Sequence, residues 1–201
     1  MNMKKLKRED LISLEQYSGQ RDEFRRNIMA HKKNRLIPIG PNVTLHFEDR
    51  LIIQYQVQEM LRAEKIFEAE AIQEELDAYN PLIPDGCNWK ATMMIEYTDP
   101  DERAVALTQL VGIEKQVWMQ VSGFNKVSPI TDEDLERETE DKTSAVHFLR
   151  FELTPEMANA ANKGAAIGLG ISHQAYHHAT DALAENYRAS LAADLDSHPT
   201  D

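Results

Sequence analysis

The chain has 201 residues, with 42% hydrophobic and 28% charged, the balance of a globular protein long enough to bury its own core. Its net charge is −12, with 22 Lys and Arg against 34 Asp and Glu, and it has a single cysteine. That excess of negative charge argues against nucleic acid as a partner, and one cysteine excludes an intramolecular disulfide framework. No apolar run approaches the roughly 20 residues that span a bilayer, and the basic start (Lys4, Lys5, Lys7, Arg8) is followed by Glu9 and Asp10 instead of a signal core. These features predict a cytoplasmic protein without membrane insertion.

The charge is unevenly spread. Residues 1–35 hold ten Lys and Arg against five Asp and Glu, and the remainder holds twelve against twenty-nine. The expected organisation is a basic helical arm over 1–35, one α+β domain over 36–195 and a frayed tail over 196–201. The arm has two open uses: docking on the acidic body, which needs no further component, or meeting an anionic partner.

In chain order, Leu11, Leu14, Tyr17, Phe24 and Ile28 give helical spacing over 8–32, with Ser18 and Gly19 as a break between two pieces. Short strands are expected at 36–39 and 43–47 around the turn composition Gly40-Pro41-Asn42. Ile53, Val57, Met60, Phe67, Ala71 and Ala78 hold one face of a long helix over 49–79, which Asn80-Pro81 ends. Then come a strand at 90–97, a helix from Asp99-Pro100 to about 111, and strands at 115–121 and 124–130. A polar helix capped by Thr131 to about 142 and a strand at 145–153 complete the order β-α-β-β-α-β. This is the split βαβ or ferredoxin-like pattern over residues 90–153, within an α+β, mainly antiparallel fold. Thr154-Pro155-Glu156 opens a helix to about 166. Gly164, Gly168 and Gly170 loosen the next stretch, before a final helix over 179–195.

Candidate chemistry rests on few residues. Glu64 interrupts the apolar stripe of the long helix, with Glu68 one turn on and Glu75 nearby, so a helix packed on a sheet would bury a carboxylate that must be protonated, paired or bound to a cation. His46 and Glu48 share a strand face and, with Glu64 and with Glu68 in reserve, offer a His/carboxylate set for a transition metal. A satisfied histidine and a solvated or salt-bridged glutamate are the plain alternatives. His173 and His177 have HxxxH spacing continued by Asp181, yet the glycines before them place His173 in a loop or at a helix start. Arg150 is the best anchor for an anionic ligand, and His147, three residues before it, is a further candidate on the opposite face of the same strand. Cys87 has neither a resolving partner nor an adjacent histidine. Walker A, GxGxxG, CxxC, GxSxG and HExxH motifs are missing, and no Glu-x-x-His marks the long helix as a ferritin-type iron helix.

Several segments are distinctive: Ala30-His31-Lys32-Lys33-Asn34-Arg35, His46-Phe47-Glu48-Asp49-Arg50, Gln54 to Arg62, Asn80 to Gly86 and Ser144 to Leu153. On these, the chain resembles a bacterial family known chiefly as a domain of unknown function. The resemblance runs from about residue 5 to 180 and carries no assigned catalytic residue. It implies an association with a rubrerythrin and an iron–sulfur oxidoreductase similar to heterodisulfide reductase subunits, a setting of peroxide defence or electron transfer. One cysteine cannot hold the four thiolates of an ordinary iron–sulfur cluster. The expectation is therefore a non-enzymatic accessory protein that binds a partner; the alternative is a metal-binding protein or metal-dependent enzyme using the His/carboxylate set.

Overall fold

The computed structural model describes residues 5–133 and 141–197. Ser13 opens the first helix with a capping box: its hydroxyl accepts from the Gln16 N–H at 3.2 Å and the Gln16 side chain reaches back to the Ser13 N–H. From there α1 (Leu14–Lys32) runs without a break. An exposed glycine inside a helix costs about 1 kcal/mol. Tyr17 and Ile28 bury themselves along the same helix and outweigh it, so the expected division at Ser18-Gly19 does not occur. Arg8–Asp10 forms only a separate 3-10 turn.

The strands β1 (Leu36–Ile39) and β2 (Val43–Phe47) fall where expected, with Gly40 at φ 69° in their turn. Asp49 then caps α2 (Arg50–Glu64) by accepting from the Ile52 N–H at 2.8 Å. The long helix expected over 49–79 is two helices. Lys65 takes the left-handed conformation at φ 56°, its N–H and that of Ile66 both return to the Leu61 carbonyl, and α3 (Ala69–Tyr79) starts afresh. The apolar stripe had disguised this break, because Phe67 keeps the helical phase while being 69% exposed. Folding back lets Ile53, Val57 and Leu61 of α2 meet Leu76 of α3, with Leu6 and Ile83 closing a small core of their own.

Next come β3 (Asn88–Ile95) and α4 (Pro100–Gln109), the latter started by Asp99 accepting two backbone N–H groups with proline at the first position. They are followed by β4 (Val117–Val121), β5 (Ile130–Thr131), β6 (Val146–Glu152), α5 (Pro155–Asn162), β7 (Ile167–His173), β8 (Tyr176–Thr180) and α6 (Glu185–Ala192). All pairings are antiparallel, in a five-stranded sheet of order β1-β2-β3-β6-β5 and a three-stranded sheet of order β4-β7-β8. The fold is α+β and mainly antiparallel.

The ferredoxin-like order over residues 90–153 does not form. In that pattern all four strands share one sheet, whereas here β4 leaves for the second sheet and β5 pairs with β6 instead of with β3. Of the expected strand over 124–130 there remain a bridge between Met119 and Val127 and Ile130, the first residue of β5. Thr131 is a strand residue paired with Leu149, so it does not cap a helix; residues 134–140 of that expected helix lie outside the described residues. Gly168 and Gly170 sit inside β7, where no side chain fits: an added Cβ would lie 2.7 Å from the Asp181 carbonyl oxygen at Gly168 and 2.6 Å from the Trp118 ring at Gly170. Because β8 takes Ala179 and Thr180, the last helix is eight residues long instead of spanning 179–195.

The main core lies against one face of the five-stranded sheet. Val43, Leu45, Phe47, Trp89, Met93, Leu149 and Phe151 point inward onto the second sheet and α4 to α6. Strand alternation sends their neighbours to the other face. That outer face is where polar chemistry collects.

Candidate functional site

Two rows of outer-face side chains follow from the strand register. His46 stands opposite Thr92, and Thr92 opposite Phe148. In the next row Lys90 stands opposite Arg150, which is opposite Ile130, while the Glu48 N–H donates to the Lys90 carbonyl at 2.9 Å and carries the row onto the end of β2. The C-terminal end of α3 and the turn after it rise beside this face. Together they enclose a groove of about 800 Å³, walled by Tyr79, Leu82, Ile83, Ile130 and Phe148 and floored by Glu48, Lys90 and Arg150.

Lys90 is the best-positioned charge in the groove. Its ammonium donates to the Pro81 carbonyl at 2.7 Å and the Ile83 carbonyl at 3.0 Å, so the chain leaving α3 orients it. Burial pulls its pKa down; Asp85, Glu152 and Glu133 offset part of that pull. Arg150 is held on both sides: Nε and Nη2 each donate to Glu133 at 2.7 Å, and Nη1 donates to Glu152. The Glu133 hydrogen bonds hold the guanidinium firmly protonated and depress the Glu133 carboxyl in return. Glu48 is buried, and burial raises its pKa although the Thr92 hydroxyl donates to it at 2.9 Å and Lys32 and Arg35 favour its anion. A groove with a depressed lysine and an elevated carboxyl is the kind of site where binding chemistry concentrates.

Glu48 also lines a smaller cavity of about 150 Å³ with His46, Lys32, Gln56 and Thr92. Burial lowers the pKa of His46. His46 and Glu48 therefore come together, as their two-residue spacing implied. Glu64 and Glu68 do not join them. Glu64 is the exposed last residue of α2, and 14 residues of helix carry it about 21 Å along the axis from the end beside Glu48. Glu68 is exposed at the start of α3. The carboxylate expected inside the apolar stripe thus lies in solvent, because the helix ends there instead of continuing across the sheet. Among the described residues, no group of three or more His, Cys, Asp and Glu is arranged to hold a metal ion.

His147 and Arg150 occupy opposite faces of β6, so they do not share a site. His147 is fully buried on the core side, with Nδ1 2.6 Å from Asp132 and Nε2 2.8 Å from the Thr143 hydroxyl. It fastens the start of β6 to the residues after β5. His173 and His177 lie on the two strands of the β7–β8 hairpin, so their four-residue spacing does not place them on a helix face; His173 Nε2 lies 3.2 Å from the Val111 carbonyl oxygen. Cys87 is a partly exposed thiol whose pKa burial and nearby carboxylates raise, which weakens it as a nucleophile.

The sequence reading missed a buried charge cluster at the far end of β2. Arg35 is 2% exposed and spends its donors on the Phe47 and Glu48 carbonyls (3.0 and 2.9 Å), on Ser190, and on both oxygens of Asp194 (3.1 and 2.5 Å). Its Nε also lies 3.3 Å from Asp49, and His31 Nε2 sits 2.5 Å from the same carboxylate. Burial pushes the Asp194 carboxyl up to about 6 against the pull of Arg35. A cleft of about 660 Å³ opens over this cluster. In sequence, Arg35 ends a run of basic residues that looks like a solvated face, and nothing marks Asp194, 159 positions away, as its partner.

A sequence-family profile described as a protein of unknown function, DUF3501, matches residues 5–195. Among solved structures, the chain is similar to a crystal structure of a protein of unknown function from Burkholderia pseudomallei, at 47% identity and a TM-score of 0.89, covering 96% of this chain and 100% of that one. No curated protein matches the chain.

Proposed function

We propose, for a chain that belongs to the DUF3501 family, a non-enzymatic accessory role exercised by binding a ligand with an apolar body and an anionic end. One observation carries this reading: a groove whose walls are mostly apolar and whose floor presents an oriented lysine. An ammonium has three donors. Two of those on Lys90 are taken by the Pro81 and Ile83 carbonyls, which leaves one for an incoming anion. The charge of Arg150 is already matched by Glu133 and Glu152, so Lys90 takes over the anchoring role expected of Arg150 from sequence.

In the peroxide-defence or electron-transfer setting implied by the resemblance, such a protein works beside an iron–sulfur oxidoreductase or a rubrerythrin. The single cysteine and acidic surface fit a cytoplasmic component that does not bind nucleic acid. Among the described residues no helix is long and apolar enough to cross a membrane. The metal-dependent alternative draws on His46 and Glu48 in their shared small cavity. They supply two of the three or four protein ligands that a zinc-like ion takes.

Octanoate and octanol, equal in apolar body and different in charge, test the groove. Octanoate is expected to raise the melting temperature more than octanol does, and Lys90→Met to erase that difference while keeping an apolar stem. Equal responses of the wild type to the two probes, or an unchanged difference in the variant, would overturn the assignment.

A further inference from the structure

The first helix has one face on the protein and one in solvent. Toward α2, the Tyr17 hydroxyl and Arg21 guanidinium donate to Glu59 at 2.6 to 2.8 Å, and Phe24 packs on Tyr55 with ring centroids 6.0 Å apart. On the other side Glu15, Gly19, Asp22, Arg26, Met29 and Lys33 are all exposed. At about 100° per residue, Glu15, Asp22, Arg26 and Lys33 fall within about 20° of one line along α1, with Gly19 and Met29 some 40° to either side. Among the described residues, none of the four charged side chains makes an ion pair within its own chain.

The order of charges along that line is acid, acid, base, base, and it is symmetric in position. Glu15 and Lys33 lie nine residues to either side of Phe24, Asp22 and Arg26 lie two, and Gly19 and Met29 lie five. Two copies of the helix laid antiparallel about that point bring Glu15 of one opposite Lys33 of the other, and Asp22 opposite Arg26. A two-fold axis makes each contact twice. The apolar element follows the same symmetry. Met29 is 38% exposed, and at Gly19 an added Cβ would meet nothing within 4 Å, so a thioether from one copy has an open stretch of the other to lie across.

We propose that the solvent face of α1 is a self-association surface, on which two copies of this chain pair antiparallel through Glu15–Lys33 and Asp22–Arg26 contacts with Met29 beside Gly19. A 19-residue helix is about 28 Å long, so the contact belongs to the small, weak class of interfaces. The net charge of −12 repels two copies at long range, and at 0.15 M salt, where the screening length is about 8 Å, the short-range pattern decides. This assignment is independent of the groove.

Sedimentation equilibrium in 0.15 M salt, up to several hundred micromolar protein, tests it with two charge reversals at exposed positions. The wild type is expected to show a concentration-dependent dimer. Asp22→Arg and Arg26→Asp are each expected to weaken it at least tenfold, since each places like charges opposite one another. An equimolar mixture of the two variants is expected to recover association to within about threefold of wild type, because every reversed site then meets its opposite. A wild type that stays monomeric, single variants that associate as the wild type does, or a mixture no better than either variant alone would overturn the proposal. Circular dichroism on each variant confirms that the helix is intact.

Discussion

Asp194 shows how a single buried group sets a pH response. Its carboxyl is raised from 3.8 to about 6, with burial as the largest cause and Arg35 pulling the other way. A raised pKa means that the folded state holds a proton which the unfolded state has already lost. This group's contribution to stability is therefore full below about pH 4 and is lost as pH rises through about 6. Its span is at most about 3 kcal/mol, since one pKa unit corresponds to about 1.4 kcal/mol. Urea denaturation of the wild type from pH 4 to 7 is expected to show this component, and Asp194→Asn to remove it; slopes that coincide for the two proteins would contradict the assignment. At the same scale, the sequence was informative about Glu48 and His46, whose spacing put them on one face, and misleading about Glu64. The difference is physical: alternation along a strand is a local steric fact, whereas burial of Glu64 depended on the helix continuing past Lys65.

At the scale of elements, the boundaries that were legible are those with a chemical mark. Asp99-Pro100 and Thr154-Pro155 start α4 and α5 where capping side chains and proline require it, and Gly40-Pro41-Asn42 turns β1 into β2. The boundary that was missed has no such mark. Lys65 ends α2 in the left-handed region, which side chains other than glycine enter at a cost of roughly 1 to 2 kcal/mol. Lys65→Gly is therefore expected to raise the free energy of unfolding by about 1 kcal/mol, measured by urea titration. A loss of stability would show that the lysine side chain, not the backbone conformation, matters there. The glycines of β7 misled for a related reason. Their small size answers the close approach of Trp118 and of the chain after β8, not a demand for flexibility, and that approach is invisible before the second sheet is assembled.

For the molecule as a whole, the basic N-terminal region is built into the fold. Leu6 closes the small helical core, Tyr17 and Ile28 are buried, Arg50 of α2 binds Asp10, and Arg35 ties β2 to the segment following α6. Deleting residues 1–35 removes all of these and leaves Asp194 buried without its guanidinium, a loss of the order of 3 to 5 kcal/mol by itself. The truncated protein is expected to lose its cooperative thermal transition in calorimetry; retention of a wild-type melting temperature would mean that the region is dispensable. Partner binding is for that reason better probed at exposed positions than by truncation.

Several properties were settled by the sequence alone: the α+β class, most strand and helix starts, and the alternation that puts His46 with Glu48 on one face of their strand and Arg150 and His147 on opposite faces of another. Each depends on interactions within a few residues, namely caps, turns and the two-residue period of a strand, so each is encoded where it is used. Only the tertiary structure decided that β4 joins a second sheet, that α2 and α3 fold back on each other, and that Arg35 meets Asp194. Those outcomes depend on which distant surfaces bury each other best and which charges must be matched once buried, a balance struck over the whole chain and written in no single segment of it.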